Sequence, residues 1–157
     1  MPKKNFFAAV ALVVAAVSLI IFFAGQYKSS DTLTMKDYQT NQIYLEVPLG
    51  EDHIFSISYT HSVNKSMVEE YYLLENGTIT LIKSRYHHFG AGVATELRED
   101  EYLTYDDEGF MVINNMNLSI PQLVYKVGTV SDHILHIGDK SWHLKDFAPE
   151  LTSVIFE

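Results

Sequence analysis

The chain has 157 residues, no cysteine and a formal net charge of −9. This length gives one domain with room for an appendage. The absence of thiols excludes disulfides, thiol catalysis and lipoprotein anchoring, and the acidic balance disfavours nucleic acid and anionic lipid as partners.

The chain divides at once. Residues 1–5 form a basic tip with Lys3 and Lys4, and residues 6–25 (FFAAVALVVAAVSLIIFFAG) carry no charge and a single polar side chain, Ser18. As a helix this run spans roughly 30 Å, the thickness of a bilayer's hydrocarbon core. With basic residues held on the cytoplasmic side, it reads as a single-pass signal anchor that leaves the rest of the chain outside the cell membrane. A cleaved signal peptide is the competing reading, but it expects a shorter apolar core and a small-residue cleavage site. All 20 acidic residues follow the apolar run, against nine Lys and Arg. Residues 26–42 are polar and unpatterned and read as a linker.

Residues 43–157 show alternation rather than a helical period. "IYLEVPL" places Ile43, Leu45, Val47 and Leu49 on one face, and "FSISYTHSV" does the same with Phe55, Ile57, Tyr59, His61 and Val63. "FMVI", "LSIPQLVYKVG", "HILHI", "SWHL" and "LTSVIFE" follow, separated by Gly, Asn and Asp. Short β-branched and aromatic segments of this kind predict an all-β domain, an antiparallel sandwich or barrel-like fold. The acidic stretch 98–109 (REDEYLTYDDEG) reads as a solvated loop.

Two turns fix registers. Asn76-Gly77 predicts a two-residue hairpin pairing Leu74 with Ile79, Tyr72 with Leu81, and Glu70 with Lys83. Gly138-Asp139 predicts pairing of Leu135 with Trp142 and of Ile134 with His143. For the hairpin around "VNKSMV", matching the apolar faces sets Val63 against Val68, Tyr59 against Tyr72 and Ile57 against Leu74. A one-residue slip, setting Tyr59 against Tyr71, turns Leu74 and Leu81 away from the core. The preferred register puts His61 opposite Glu70.

The expected product is a cross-strand row, His61–Glu70–Lys83, on an otherwise apolar face. Such side chains stand about 5 Å apart at Cβ. The row either closes the rim of the core or recognises a partner, with Glu70 orienting His61. Glu70 is then the costly position and Glu69, on the opposite face, the dispensable one. Arg85 and His87 extend the Lys83 side, and Gly90 and Gly92 allow a sharp turn or a close approach to a ligand. Ser62 points away from His61, so the two do not form a nucleophile and base on one strand. No nucleophile elbow and no metal-binding spacing of histidines is present, and Lys83 argues against a metal among His61, Glu70, His87 and His88. The expectation is a protein without cofactor or metal and without catalytic residues. Its candidate binding residues are His61, Ser62, Glu70, Lys83, Arg85, His87, Gly90 and Gly92. His53, His133, His136 and His143 have no partner that the sequence names.

"YTHSV" (Tyr59 to Val63), Glu70 and "FGAG" (Phe89 to Gly92) together resemble bacterial domain-of-unknown-function family 1850, over roughly Ile43 to the C-terminus. Met67 departs from the proline that the family often carries in that loop. The resemblance implies an accessory component of a TAXI-type TRAP solute uptake system, with the transporter's membrane or solute-binding subunits as partners. The alternatives are a stand-alone domain binding a small ligand or cation, and a hydrolase using His61.

Overall fold

The computed structural model describes residues 31–61, 65–87 and 96–157. Among these residues, twelve strands form two sheets in which every pairing is antiparallel. They are β1 (Thr32–Asp37), β2 (Ile43–Pro48), β3 (Ile54–Thr60), β4 (Met67–Glu75), β5 (Thr78–Tyr86), β6 (Tyr102–Tyr105), β7 (Met111–Asn114), β8 (Leu118–Ile120), β9 (Leu123–Lys126), β10 (Ile134–Ile137), β11 (Lys140–His143) and β12 (Ser153–Phe156). One sheet runs β2-β1-β12-β9. The other runs β11-β10-β3-β4-β5-β7-β6, with β8 pairing β5 beside β7.

The two sheets share one hydrophobic core, as in a sandwich. Leu33, Met35, Val154 and Phe156 come from the first sheet, and Phe55, Ile57, Tyr72, Leu74, Ile113 and Leu135 from the second. Phe55 bridges them, 5.2 Å from the Tyr72 ring and 6.3 Å from the Phe156 ring between centroids. Each such side chain contributes about 1.5–3 kcal/mol of transfer free energy.

The apolar run 6–25 lies outside the described residues. Among the described residues no helix is long and apolar enough to cross a membrane. Two boundaries are corrected. The segment 26–42, read as linker, contains β1, which pairs both β2 and β12 and buries Leu33 and Met35. The segment 98–109, read as a solvated loop, contains β6. Short polar-flanked strands lie below what alternation detects: β1 offers only Leu33 and Met35 as inward residues.

The two hairpin turns form as the sequence predicts. Asn76 and Gly77 both adopt positive φ, 51° and 72°, the geometry that matches strand twist, and Leu74 faces Ile79. Gly138, at φ 55°, opens the β10–β11 turn, and Leu135 faces Trp142.

Two registers differ from the expectation. In β3–β4, Tyr59 faces Val68 and Ile57 faces Glu70. The displacement is four residues from the expected pairing, an even number, so every inward residue stays inward. What changes is the connection: Thr60 is the last paired residue before Met67. His61 N–H donates to Ser66 O, and Lys65 N–H to His61 O. In β4–β5 the register shifts between Tyr71 and Tyr72: Tyr72 faces Leu81 but Tyr71 faces Lys83. Ile82 is therefore an extra residue, and its carbonyl accepts from Met116 N–H at 3.0 Å. Beyond this bulge Ser84 and Tyr86 turn inward and are buried, while Lys83 and Arg85 turn to the outer face. The expected His61–Glu70–Lys83 row does not form.

Candidate functional site

The inner face of β4 places Val68, Glu70, Tyr72 and Leu74 in line. Glu70 is the one charged side chain among them, and the core supplies hydroxyls to it. Tyr125, on β9 of the opposite sheet, donates to Glu70 Oε2 at 2.6 Å, and Tyr72 donates to the same oxygen at 3.0 Å. The two tyrosine oxygens lie 2.8 Å apart. Short O–H···O bonds to a carboxylate are among the stronger neutral-to-charged contacts. They also tie the two sheets together through polar groups within the core.

Around this centre Tyr59 packs edge-on to Tyr125 with 6.2 Å between centroids, and the His133 ring lies 5.2 Å from Tyr59 and 5.4 Å from Tyr125. Burial, then the charge of Glu70, raises the pKa of Tyr59, Tyr72 and Tyr125 well above the ordinary phenol value. Burial raises Tyr86 as well. These hydroxyls hold their protons and act as donors, not as bases or nucleophiles. His133 is pushed down by burial, against the pull of Asp132. Its Nδ1 is buried without a hydrogen-bond partner among the described residues.

A second polar arrangement covers the outer face of the same sheet. Glu69 accepts from Ser56 Oγ at 2.8 Å and lies 3.8 Å from the Arg85 guanidinium. Arg85 also binds Asp106 and Glu108, each at 2.6 Å, and stacks over Phe110. His87 meets Phe110 edge-on at 4.8 Å. Ser58 Oγ is 2.8 Å from His136 Nε2. Glu69, then Arg85 and Asp106, influence Tyr71, whose pKa burial chiefly pushes up to about 12.

The candidate residues therefore separate into two groups. Glu70 is on the inner face; Lys83 and Arg85 are on the outer face. His61 follows β3, four positions beyond Ile57, the residue opposite Glu70, or roughly 13 Å along the chain. Ser62, Gly90 and Gly92 lie outside the described residues. The sequence reading missed Tyr125 and His133, whose relation to Glu70 depends on how the sheets stack. It also missed the partners of three histidines: His53 pairs with Asp31 at 2.9 Å, His143 with Asp132 at 2.7 Å, and His136 with Ser58. The repeated Tyr at 59, 72 and 125 on inward positions was the available signal, since buried tyrosines need an acceptor.

Fold and site define a small two-sheet antiparallel β domain with a tyrosine-bonded carboxylate inside it. The chain belongs to the family described as a domain of unknown function (DUF1850), whose model matches residues 55–144. The match takes in β3 through β11, the whole second sheet together with β9, and so includes Glu70, Tyr72 and Tyr125. No curated protein and no solved structure matches the chain.

Proposed function

We propose that this chain is a membrane-anchored extracytoplasmic binding module, held by residues 6–25, and that its partner is a TRAP-type solute uptake system of the TAXI class. The observation that carries the binding reading is the Glu70 carboxylate accepting two tyrosine hydroxyls at 2.6 and 3.0 Å. Those hydroxyls are held protonated, so the centre fixes the geometry of a surface without supplying a base or nucleophile. It lies toward the strand ends at which β3, β4 and β5 meet, where Thr60 faces Met67 and Val68 faces Tyr86. His61 and His87 stand at the same end. The choice of partner rests on the family resemblance.

The test is affinity purification of the tagged full chain from detergent-solubilised membranes. The expected result is enrichment of TRAP-type membrane or solute-binding subunits, weakened when Tyr125→Phe and Glu70→Gln loosen the centre, together with reduced solute uptake on deletion. No enrichment, with uptake unchanged on deletion, overturns the reading. A second reading, a domain that binds a small ligand by itself, is favoured by a cleft on the outer face.

A further inference from the structure

The Ile82 bulge places Ile82 and Lys83 together on the outer face, where the chain segment 114–117 crosses beside them. The result is a cleft of about 680 Å³. Its polar lining joins Lys83 and Asp100 to Tyr71, Tyr102 and the asparagines at 114, 115 and 117.

Lys83 is unusual within this acidic domain. The other half-buried cations of the described residues are paired: Lys36 binds Glu157, and Arg85 binds Asp106 and Glu108. Lys83 has no ion pair among the described residues, because Glu69 is engaged by Ser56 and Arg85. Its ammonium instead sits 3.5 Å from the centroid of the Tyr71 ring. A half-buried ammonium needs an anion or water to complete its three donors. The ring attracts it from one side, leaving N–H directions for the cleft.

The asparagines set the rest of the chemistry. Asn114 spends its amide hydrogens on Thr104 Oγ1 at 2.8 Å and on Val112 O at 3.2 Å, so its carbonyl remains an acceptor. Asn115 spends one on Asp100 O at 2.9 Å, which fixes its orientation. Asn117 is exposed and makes no side-chain hydrogen bond among the described residues. One cation, the Asp100 carboxylate as an acceptor, several amide donors and acceptors and the Tyr102 hydroxyl suit a ligand carrying one carboxylate, held at Lys83, and several hydroxyls.

We infer that this cleft binds a small hydroxylated carboxylate, with Lys83 holding the carboxylate and Asn117 a hydroxyl. The site lies on the opposite face of the sheet from Glu70, and it stands independently of any transporter partner.

Isothermal titration of the full chain in detergent with glucuronate tests this, with glucose and succinate as comparisons. Saturable glucuronate binding is expected, with each comparison at least about fivefold weaker. Lys83→Met should weaken it about tenfold or more and Asn117→Ala severalfold, while Lys83→Arg retains most of it. Because Asn117 is exposed, its variant carries the test even if Lys83→Met fails to fold. No saturable binding up to about 20 mM glucuronate overturns the inference. So does equal binding of glucose or of succinate, or unchanged affinity in folded Lys83→Met or Asn117→Ala.

Discussion

Lys83 faces Tyr71 across β4 and β5, and Tyr72 faces Leu81, so a single extra residue separates the two sides of the sheet. Without the bulge, with Ile82 taking its place in the pairing, alternation would carry Lys83 into the row of Glu70 and turn Ser84 and Tyr86, both buried, outward. The bulge keeps a lysine out of the core and supplies Tyr86 to it.

Deletion of Ile82 is therefore expected to restore regular pairing with Lys83 still outward and Ser84 and Tyr86 still inward, at a cost of about 1–3 kcal/mol for the lost side chain and the lost acceptor of Met116 N–H. Ile82→Val keeps the residue count and should cost about 1 kcal/mol or less. Urea unfolding of the two variants checks this. Loss of cooperative folding on deletion would mean that Ile82 is not the extra residue and that its removal inverts the strand.

That bulge also marks where the sequence stopped being legible. Asn76-Gly77 states its own turn geometry, so Leu74–Ile79 and Tyr72–Leu81 follow from the sequence. Nothing in "LIKSRY" announces that two successive residues share a face, because Ile82 and Lys83 satisfy either alternation. The β3–β4 hairpin failed differently. The facing of apolar residues alone does not fix its register, because a four-residue displacement leaves every facing intact. Glu70 was legible as an inward carboxylate. Its donors were not, since Tyr125 belongs to the other sheet.

The Glu70 centre yields a graded series. Tyr125→Phe removes a donor to Glu70 and should cost about 1–3 kcal/mol, as should Tyr72→Phe. The double variant should cost less than the sum, because the hydroxyls also touch one another. Glu70→Gln retains an acceptor and should cost less than Glu70→Ala, which leaves both hydroxyls unpaired and a void. Glu69 is not the neutral control that the sequence suggests: its side chain is 14% exposed and bound to Ser56 and Arg85. Glu69→Ala is expected to cost about 1–2 kcal/mol. Denaturant unfolding of the set decides; strict additivity of the two Tyr→Phe changes would show that no shared network exists.

Asp106 links stability to acid. Burial opposes its ionisation, but the Arg85 guanidinium and the N–H groups of Phe110 and Glu108 outweigh it, and its pKa falls below the ordinary aspartate value of 3.8. A carboxylate depressed in the fold contributes stability that is complete above its unfolded pKa and is lost as pH falls through the folded one. The melting temperature should therefore drop as pH is lowered through 4, and Asp106→Asn should show a shallower drop. An identical acid slope in wild type and variant, followed by calorimetry, would contradict the assignment.

His133 gives the opposite kind of residue the same sign of dependence, in a separate window. Burial against Tyr59 and Tyr125 disfavours its cation and lowers its pKa from the ordinary 6.5, although Asp132 beside it favours charge. The unfolded chain then binds a proton near pH 6.5 that the folded chain refuses until lower pH. Stability from this group is complete above about pH 6.5 and is lost as pH falls from there toward the folded pKa. His53 and His143 each pair with a carboxylate, Asp31 and Asp132 respectively. The contribution of His133 is isolated by difference: between pH 8 and pH 5, His133→Phe should lose less stability than wild type, because phenylalanine keeps the ring packing and takes up no proton. NMR titration of the His133 ring should show a midpoint below 6.5. A midpoint at or above that value, or equal losses in the two proteins, would place the imidazole in contact with water or an acceptor, and not sealed between the two tyrosines.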